Sequence, residues 1–194
     1  MDLEHTIRFT LGDMVFEYSE DKNQANIRKH GISFRNAARV FFDYDRIEMY
    51  DEENSDNEER YDTIGDTSAG NLIFGKDTII GNVSQSTEWL NDILFVVYTE
   101  RRRTQQNGQT IDVTRLISAR MATNFERIIM VNTNDLSTQM REELAFTKEE
   151  LRELENARKM PITFDEDCPE TTPERAIKFR RVNPARRGFS SSPA

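Results

Sequence analysis

The sequence predicts an α+β fold: two N-terminal helices against an antiparallel sheet, a C-terminal helix after the last strand, and then a mostly helical extension. Three observations predict it. Met14-Val15-Phe16-Glu17-Tyr18 reads as a strand, two capped helix patterns follow it, and two later strand patterns, Ile93 to Thr99 and Ile111 to Ser118, flank a polar turn.

The elements follow in order. Residues 1–13 form a short leader without a clear period. Ser19 can cap a first helix with Glu20 and Asp21 in its first turn, and acids there favour the helix dipole. That helix runs to about His30, where Gly31 supplies a left-handed stop. Ser33 caps a second helix, Phe34 to about Phe42, with Phe34, Ala37, Ala38, Phe41 and Phe42 as its apolar face. Asp43 to Asp62 is read as a solvated acidic loop around a strand. Residues 66–92, rich in Gly, Asn, Ser, Thr and Asp, suggest a long loop or an extra hairpin, with Trp89 as a packing anchor. The near-continuous apolar run from Ile93 suggests a central strand buried on both faces. Ala122 to about Ile129 suits a short helix.

The character changes after Met130, which divides the chain into residues 1–130 and 131–194. Thr147-Lys148-Glu149-Glu150 is a capping box, and a helix should follow to about Lys159, before Pro161. Ile162-Thr163-Phe164 can add an edge strand, Thr172-Pro173 reads as the start of a last short helix, and a disordered tail is expected from about residue 183.

The 194 residues are 36% hydrophobic and 31% charged, enough for a lean core. The lone Cys168 excludes an internal disulfide and a cysteine-clustered metal site. No apolar run reaches the roughly 18 residues of a membrane span, and the start has no signal-peptide pattern, so a cytoplasmic protein without membrane contact is expected. The net charge of −9 disfavours nucleic-acid contact only if it is spread evenly. It is not: acids crowd between Asp43 and Asp66, while Lys29, His30, Arg101-Arg102-Arg103, Arg115, Arg120 and Arg127 lie elsewhere. A basic cleft is therefore compatible with the acidic total.

Four ordered motifs carry a family resemblance. Phe16-Glu17-Tyr18 with Asp21-Lys22, Asn26 and Lys29-His30-Gly31-Ile32-Ser33-Phe34 through Phe41 is the first. Glu59-Arg60-Tyr61 with Ile64-Gly65 is the second. Val96 to Arg101 is the third, and Arg115 to Thr123 with Glu126-Arg127 the fourth. Together, over most of residues 14–129, they resemble the BrnT toxin family. The resemblance implies a RelE-like fold and a ribosome-independent ribonuclease of a type II toxin–antitoxin system, inhibited in cis by the C-terminal segment; the alternative is a non-catalytic toxin–antitoxin interaction module or a corepressor subunit with an intact antitoxin. About 20 extra residues between Gly65 and Ile93 depart from that pattern. They can be a lid, a dimerisation element or a surface excursion. Lys148 to Glu170 resembles the toxin-binding part of the BrnA antitoxin. The residues after Arg187 are too few for the ribbon-helix-helix domain in which such antitoxins usually end, so DNA contact is expected only through an intact antitoxin. The expected partners are thus RNA and a BrnA-like antitoxin, in cis or in trans, with a homo-oligomer possible.

Metal-free RNA cleavage needs a proton acceptor for the 2′-hydroxyl, charge stabilisation for the phosphorane and a proton for the leaving oxygen. No cofactor or metal is expected. His30 is the leading proton-transfer candidate, because a helix C-terminus favours its protonated form, unless it only satisfies the last helical carbonyls. Lys22 and Lys29 are candidates for RNA phosphate contact, with a solvated helix face as the plainer reading of Lys22. Arg60 matches a motif arginine of the resembled family and can stabilise the phosphorane or form a surface ion pair. Glu100 can act as a base or pair with Arg101 or Arg120. Ser118 and Arg120 share a strand face, where Arg120 can clamp phosphate or bridge strand and final helix. Arg101 and Ser118 are further RNA-contact candidates. Tyr61 can stack a base, as can Tyr98, although strand tyrosines are usually packing residues. Glu166, Asp167 and Glu170 can enter the basic cleft as phosphate mimics.

Overall fold

The structure, a computed structural model of the 194-residue chain, describes residues 5–56, 58–67, 93–104, 108–129 and 148–183. The expected excursion beyond Thr67, with Trp89, lies outside the described residues. So do the Thr147 cap and the tail from residue 184.

The described elements are β1 (Thr6–Leu11), β2 (Met14–Ser19), α1 (Glu20–His30), α2 (Phe34–Ala37), β3 (Ile47–Tyr50), β4 (Arg60–Asp66), β5 (Ile93–Thr104), β6 (Thr110–Met121), α3 (Asn124–Ile128), α4 (Lys148–Ala157), α5 (Pro173–Ala176) and β7 (Arg180–Arg181). They build one sheet in the order β1-β2-β6-β5-β4-β3-β7. As expected from its apolar run, β5 is the central strand, with Leu94 to Thr99 buried.

Five sequence expectations about the fold differ from the structure. The leader contains a strand, β1, which pairs antiparallel with β2 around a turn at Gly12, a left-handed residue with φ 55°. Its alternating exposure marks an edge strand, which the short window before Asp13 did not resolve. The sheet is mixed rather than antiparallel, since β2 runs parallel to β6. The second helix tightens into a 3-10 turn at Ala38–Phe42 after one α turn. The extension is not mostly helical: among residues 148–183 only α4 and α5 are helical. Ile162 to Phe164 forms no strand, and it is β7 that pairs with the sheet edge at β3.

Ser19 takes the N-cap position of α1, but contrary to expectation its side chain makes no cap hydrogen bond. Other helix ends carry side-chain caps or a left-handed stop. Gly31 ends α1 in the left-handed region, and Ser33 accepts a hydrogen bond from the Asn36 N–H. Thr123 and Glu126 form a reciprocal capping box on α3. Thr172 caps α5 with Pro173 in its first turn.

Two apolar clusters flank the sheet. Phe16, Tyr18, Leu94, Val96, Tyr98 and Leu116 face α2 and the 3-10 turn, and Leu154 and Ala157 of α4 join that core. The opposite face carries Ile47, Met49, Ile64, Phe95, Val97 and Ile117, covered by Cys168 and Phe179. Residues 148–183 therefore contribute buried apolar surface to both faces. Asn26 fixes α1 beside β6: its side-chain NH2 donates to the Ala119 and Ile32 carbonyls, and its oxygen accepts from the Ala119 N–H. The amide thus substitutes for a neighbouring strand where the β2 pairing has stopped.

Candidate functional site

Strand alternation distributes the candidates. Along β4 and β5, Tyr61 and Tyr98 point to the helix-covered face, so Arg60, Thr99 and Arg101 point to the other. Lys22 of α1 reaches the same place as Arg60, because one carboxylate holds both. Asp167 accepts from Lys22 Nζ at 3.1 Å and from Arg60 Nη1 at 3.3 Å. A single carboxylate spread between two cations occupies the position that a bridging phosphate would take. At the C-terminal end of α1, Asp165 pairs with Lys29, and its carboxylate lies 3.8 Å from His30 Nε2.

His30 differs from its expected protonation state. It is buried, Thr163 Oγ1 lies 3.3 Å from Nδ1, and Nε2 has no hydrogen-bond partner. Burial, reinforced by the Lys29 and Arg120 charges, pushes its pKa down to about 4. Asp165 stands beyond hydrogen-bond reach and does not reverse this. The helix C-terminus, worth at most about 2 kcal/mol, loses to desolvation.

Arg120 is fully buried and forms a bidentate pair with Glu126, both contacts 2.8 Å. It also donates to the Met121 and Pro169 carbonyls and lies 4.2 Å and 4.9 Å from the ring centres of Phe95 and Phe164. The geometry is that of an arginine tying β6 to α3 and to the extension. Ser118 is buried, its hydroxyl donating to Asn26. Beside it Cys168, wholly buried, has its thiol pushed up to about 12 by desolvation.

Tyr61 and Glu100 lie on the opposite face from Arg60. Tyr61 stacks on Tyr98 with ring centres 5.5 Å apart and donates to Glu59. Glu100 is exposed, and Arg101 pairs with Glu58 and Glu17 rather than with it. The structure therefore gathers Lys22, Lys29, His30, Arg60 and Arg120 against residues 163–169, places Arg101 farther along the same face as Arg60, and separates Tyr61 and Glu100.

The acidic loop also departs from its reading as solvated: Asp43, Asp45, Asp51 and Asp62 are buried. Arg175 enters among them, 2.7 Å from Asp62 and 3.5 Å from Asp51. Desolvation, with Asp51 adding to it, raises Asp62 to about 7, because one guanidinium cannot compensate two buried carboxylates fully. Sequence reasoning missed Asp165 and Arg175. Asp165 carries a signal, since it alternates with Asp167; Arg175 carries none beyond its helix start.

Residues 18–84 match the family model described as ribonuclease toxin, BrnT, of type II toxin–antitoxin systems. That stretch is similar to RNA-cleaving toxins and covers α1, α2, β3 and β4, including Lys22, Lys29, His30, Arg60 and Tyr61. β5, β6 and the extension lie beyond it. None of the curated proteins matches the chain. Among the described residues, no helix is long and apolar enough to cross a membrane.

Proposed function

We propose that the chain is a ribonuclease toxin of a type II toxin–antitoxin system, RelE-like in layout, that cleaves RNA without a metal or the ribosome and is inhibited in cis by its own BrnA-like extension. One observation carries this reading: Asp167 and Asp165 sit on Lys22, Arg60 and Lys29, the cations that would contact RNA phosphate. The family match supports the RNA-cleaving half of it.

In the released state, Arg60 stabilises the phosphorane and Lys22 with Lys29 holds the scissile phosphate. His30, freed of Thr163 and Asp165, regains water and returns toward the ordinary imidazole range, where it transfers a proton. Arg120 holds the wall of the site through Glu126 and touches no substrate. The docked extension thus withholds both the phosphate subsite and a titratable imidazole. An extension tethered to the same chain acts at roughly millimolar effective concentration, so docking prevails over a weak RNA competitor. An antitoxin supplied in trans would meet the same surface. We read residues 1–130 as the toxin part and 131–194 as the inhibitor part, although Leu154 and Ala157 are packed into the toxin core.

The test is cleavage of single-stranded RNA without ribosomes, in EDTA, by the full chain. The parent should be silent and Asp165→Asn/Asp167→Asn should cut, because both anchors lose their charge. Adding Arg60→Ala to that variant should silence it again. A folded double variant that leaves RNA intact would remove the catalytic reading, and a parent that cuts equally well would remove the inhibition.

A further inference from the structure

A cross-strand row runs over the sheet face that bears Arg60. Register places Arg60 opposite Thr99, Thr99 opposite Arg115, Arg115 opposite Glu17, and Glu17 opposite Arg8. Directly opposed residues share a face, and strands lie about 4.8 Å apart, so this row spans about 19 Å over β4, β5, β6, β2 and β1. Arg101 and Arg103 follow Thr99 at two-residue steps and point the same way.

These arginines converge on one buried carboxylate. Glu17 receives Arg103 Nη2 at 2.9 Å and Arg8 Nη2 at 3.0 Å, with Arg101 Nη1 at 3.4 Å and Arg115 Nη1 at 3.7 Å. Burial works to raise Glu17, but Arg103 and Arg8 overcome it and hold its pKa below the ordinary carboxylate value. Glu58 takes a second share of Arg101. Among the described residues, the three guanidiniums of Arg8, Arg101 and Arg103 meet the two carboxylates of Glu17 and Glu58, which leaves a cationic excess there in a chain whose net charge is −9.

Each guanidinium has five N–H donors, and the contacts to Glu17 use few of them. Glu17 acts as a buried pin that fixes where the remaining donors point. The side chains of Arg8 and Arg103 are 48% and 42% exposed, so part of their donor set faces solvent, although Arg103 Nε is buried. Among the described residues, the acids of the extension reach only the Arg60 end of this row, and the carboxylate partners of Arg8, Arg101 and Arg103 are Glu17 and Glu58.

We propose that Arg8, Arg101 and Arg103 continue the Arg60 site as a track for the phosphate backbone of single-stranded RNA, open even while the extension is docked. The proposal rests on the ribonuclease reading for its choice of polyanion. It deepens that reading, because it separates RNA capture from RNA cleavage. Substrate would be held along the arginine row while Asp167 still covers the cleavage end.

Binding of a short labelled single-stranded RNA to the full-length chain tests this, followed by fluorescence anisotropy between about 50 and 200 mM salt. The parent should bind although it does not cut. Arg8→Gln/Arg103→Gln should bind more weakly and lower the salt slope by about 1.4, about 0.7 for each lost phosphate contact. Arg102 lies on the opposite face, 83% exposed, so Arg102→Gln, which removes one charge against the two of the double variant, should leave binding and slope unchanged. Glu58→Gln frees Arg101 and should tighten binding, which keeps the test informative if the double variant does not fold. A slope change in Arg102→Gln of about half that in Arg8→Gln/Arg103→Gln, equal per charge removed, overturns the proposal, as does a Glu58→Gln affinity no higher than the parent's. So does a parent that binds polyglutamate but not RNA, which would assign the row to an acidic protein. Cleavage is not read here, so a failed track and a failed ribonuclease reading give different results.

Discussion

Arg120 offers the sharpest separation between a structural and a chemical role. Both members of its pair with Glu126 are almost wholly buried and joined by two 2.8 Å contacts. Arg120→Met leaves the Glu126 carboxylate buried with only Thr123 and Thr171 to donate to it. Removing one member of such a pair costs about 3–5 kcal/mol. For a chain of this size each kcal/mol lowers Tm by about 2–4 °C, so Arg120→Met should melt at least about 6 °C below the parent. Glu126→Met should cost a similar amount. In the double variant no buried charge is orphaned, and its loss should fall short of the two single losses combined by about 2 kcal/mol. Guanidinium unfolding of all four proteins at neutral pH measures the cycle. Additive losses, or an Arg120→Met cost below about 1 kcal/mol, would refute the structural assignment and return Arg120 to the phosphate-binding candidates.

Three further outcomes follow from individual positions. Leu154→Ala should cost about 2–5 kcal/mol in denaturant unfolding, because this side chain of the extension is 2% exposed within the main core; a cost near zero would mean that α4 does not share that core. Gly31→Ala should destabilise more than Gly108→Ala on thermal melting. Both glycines have positive φ, which costs other residues about 1–2 kcal/mol, but a Cβ at Gly31 would lie 2.7 Å from Met160 Sδ and 3.0 Å from the Ala157 backbone, whereas one at Gly108 meets nothing. Equal losses would show that the extension does not press on α1. Asp62 holds its proton more tightly folded than unfolded, so its contribution to stability is largest below the ordinary carboxylate range and declines as pH rises toward about 7. Asp62→Asn should therefore flatten the stability profile between about pH 4 and pH 7, and an unchanged profile in urea titrations would contradict the raised pKa.

The sequence by itself determined the local elements. The Ser33 cap, the Gly31 stop, the Thr172-Pro173 start and the apolar run of β5 are short-range signals, each set by a few neighbouring residues, and the structure reproduces them. The basic residues of α1 and β4 were legible for the same reason, as was the acidity of residues 165–167. What only the tertiary structure decided was which charges meet and which lose water. Asp165 and Asp167 reach Lys29, Lys22 and Arg60 across more than a hundred residues of chain. His30 is neutral, and Asp51 and Asp62 are buried, because chain segments distant in sequence close over them. Glu17, an ordinary alternating strand position in sequence, becomes the pin of four arginines only when β1, β5 and β6 are brought beside β2. Caps and periodicity depend on residues within a turn or two, whereas desolvation and ion pairing depend on neighbours that only the sheet order supplies.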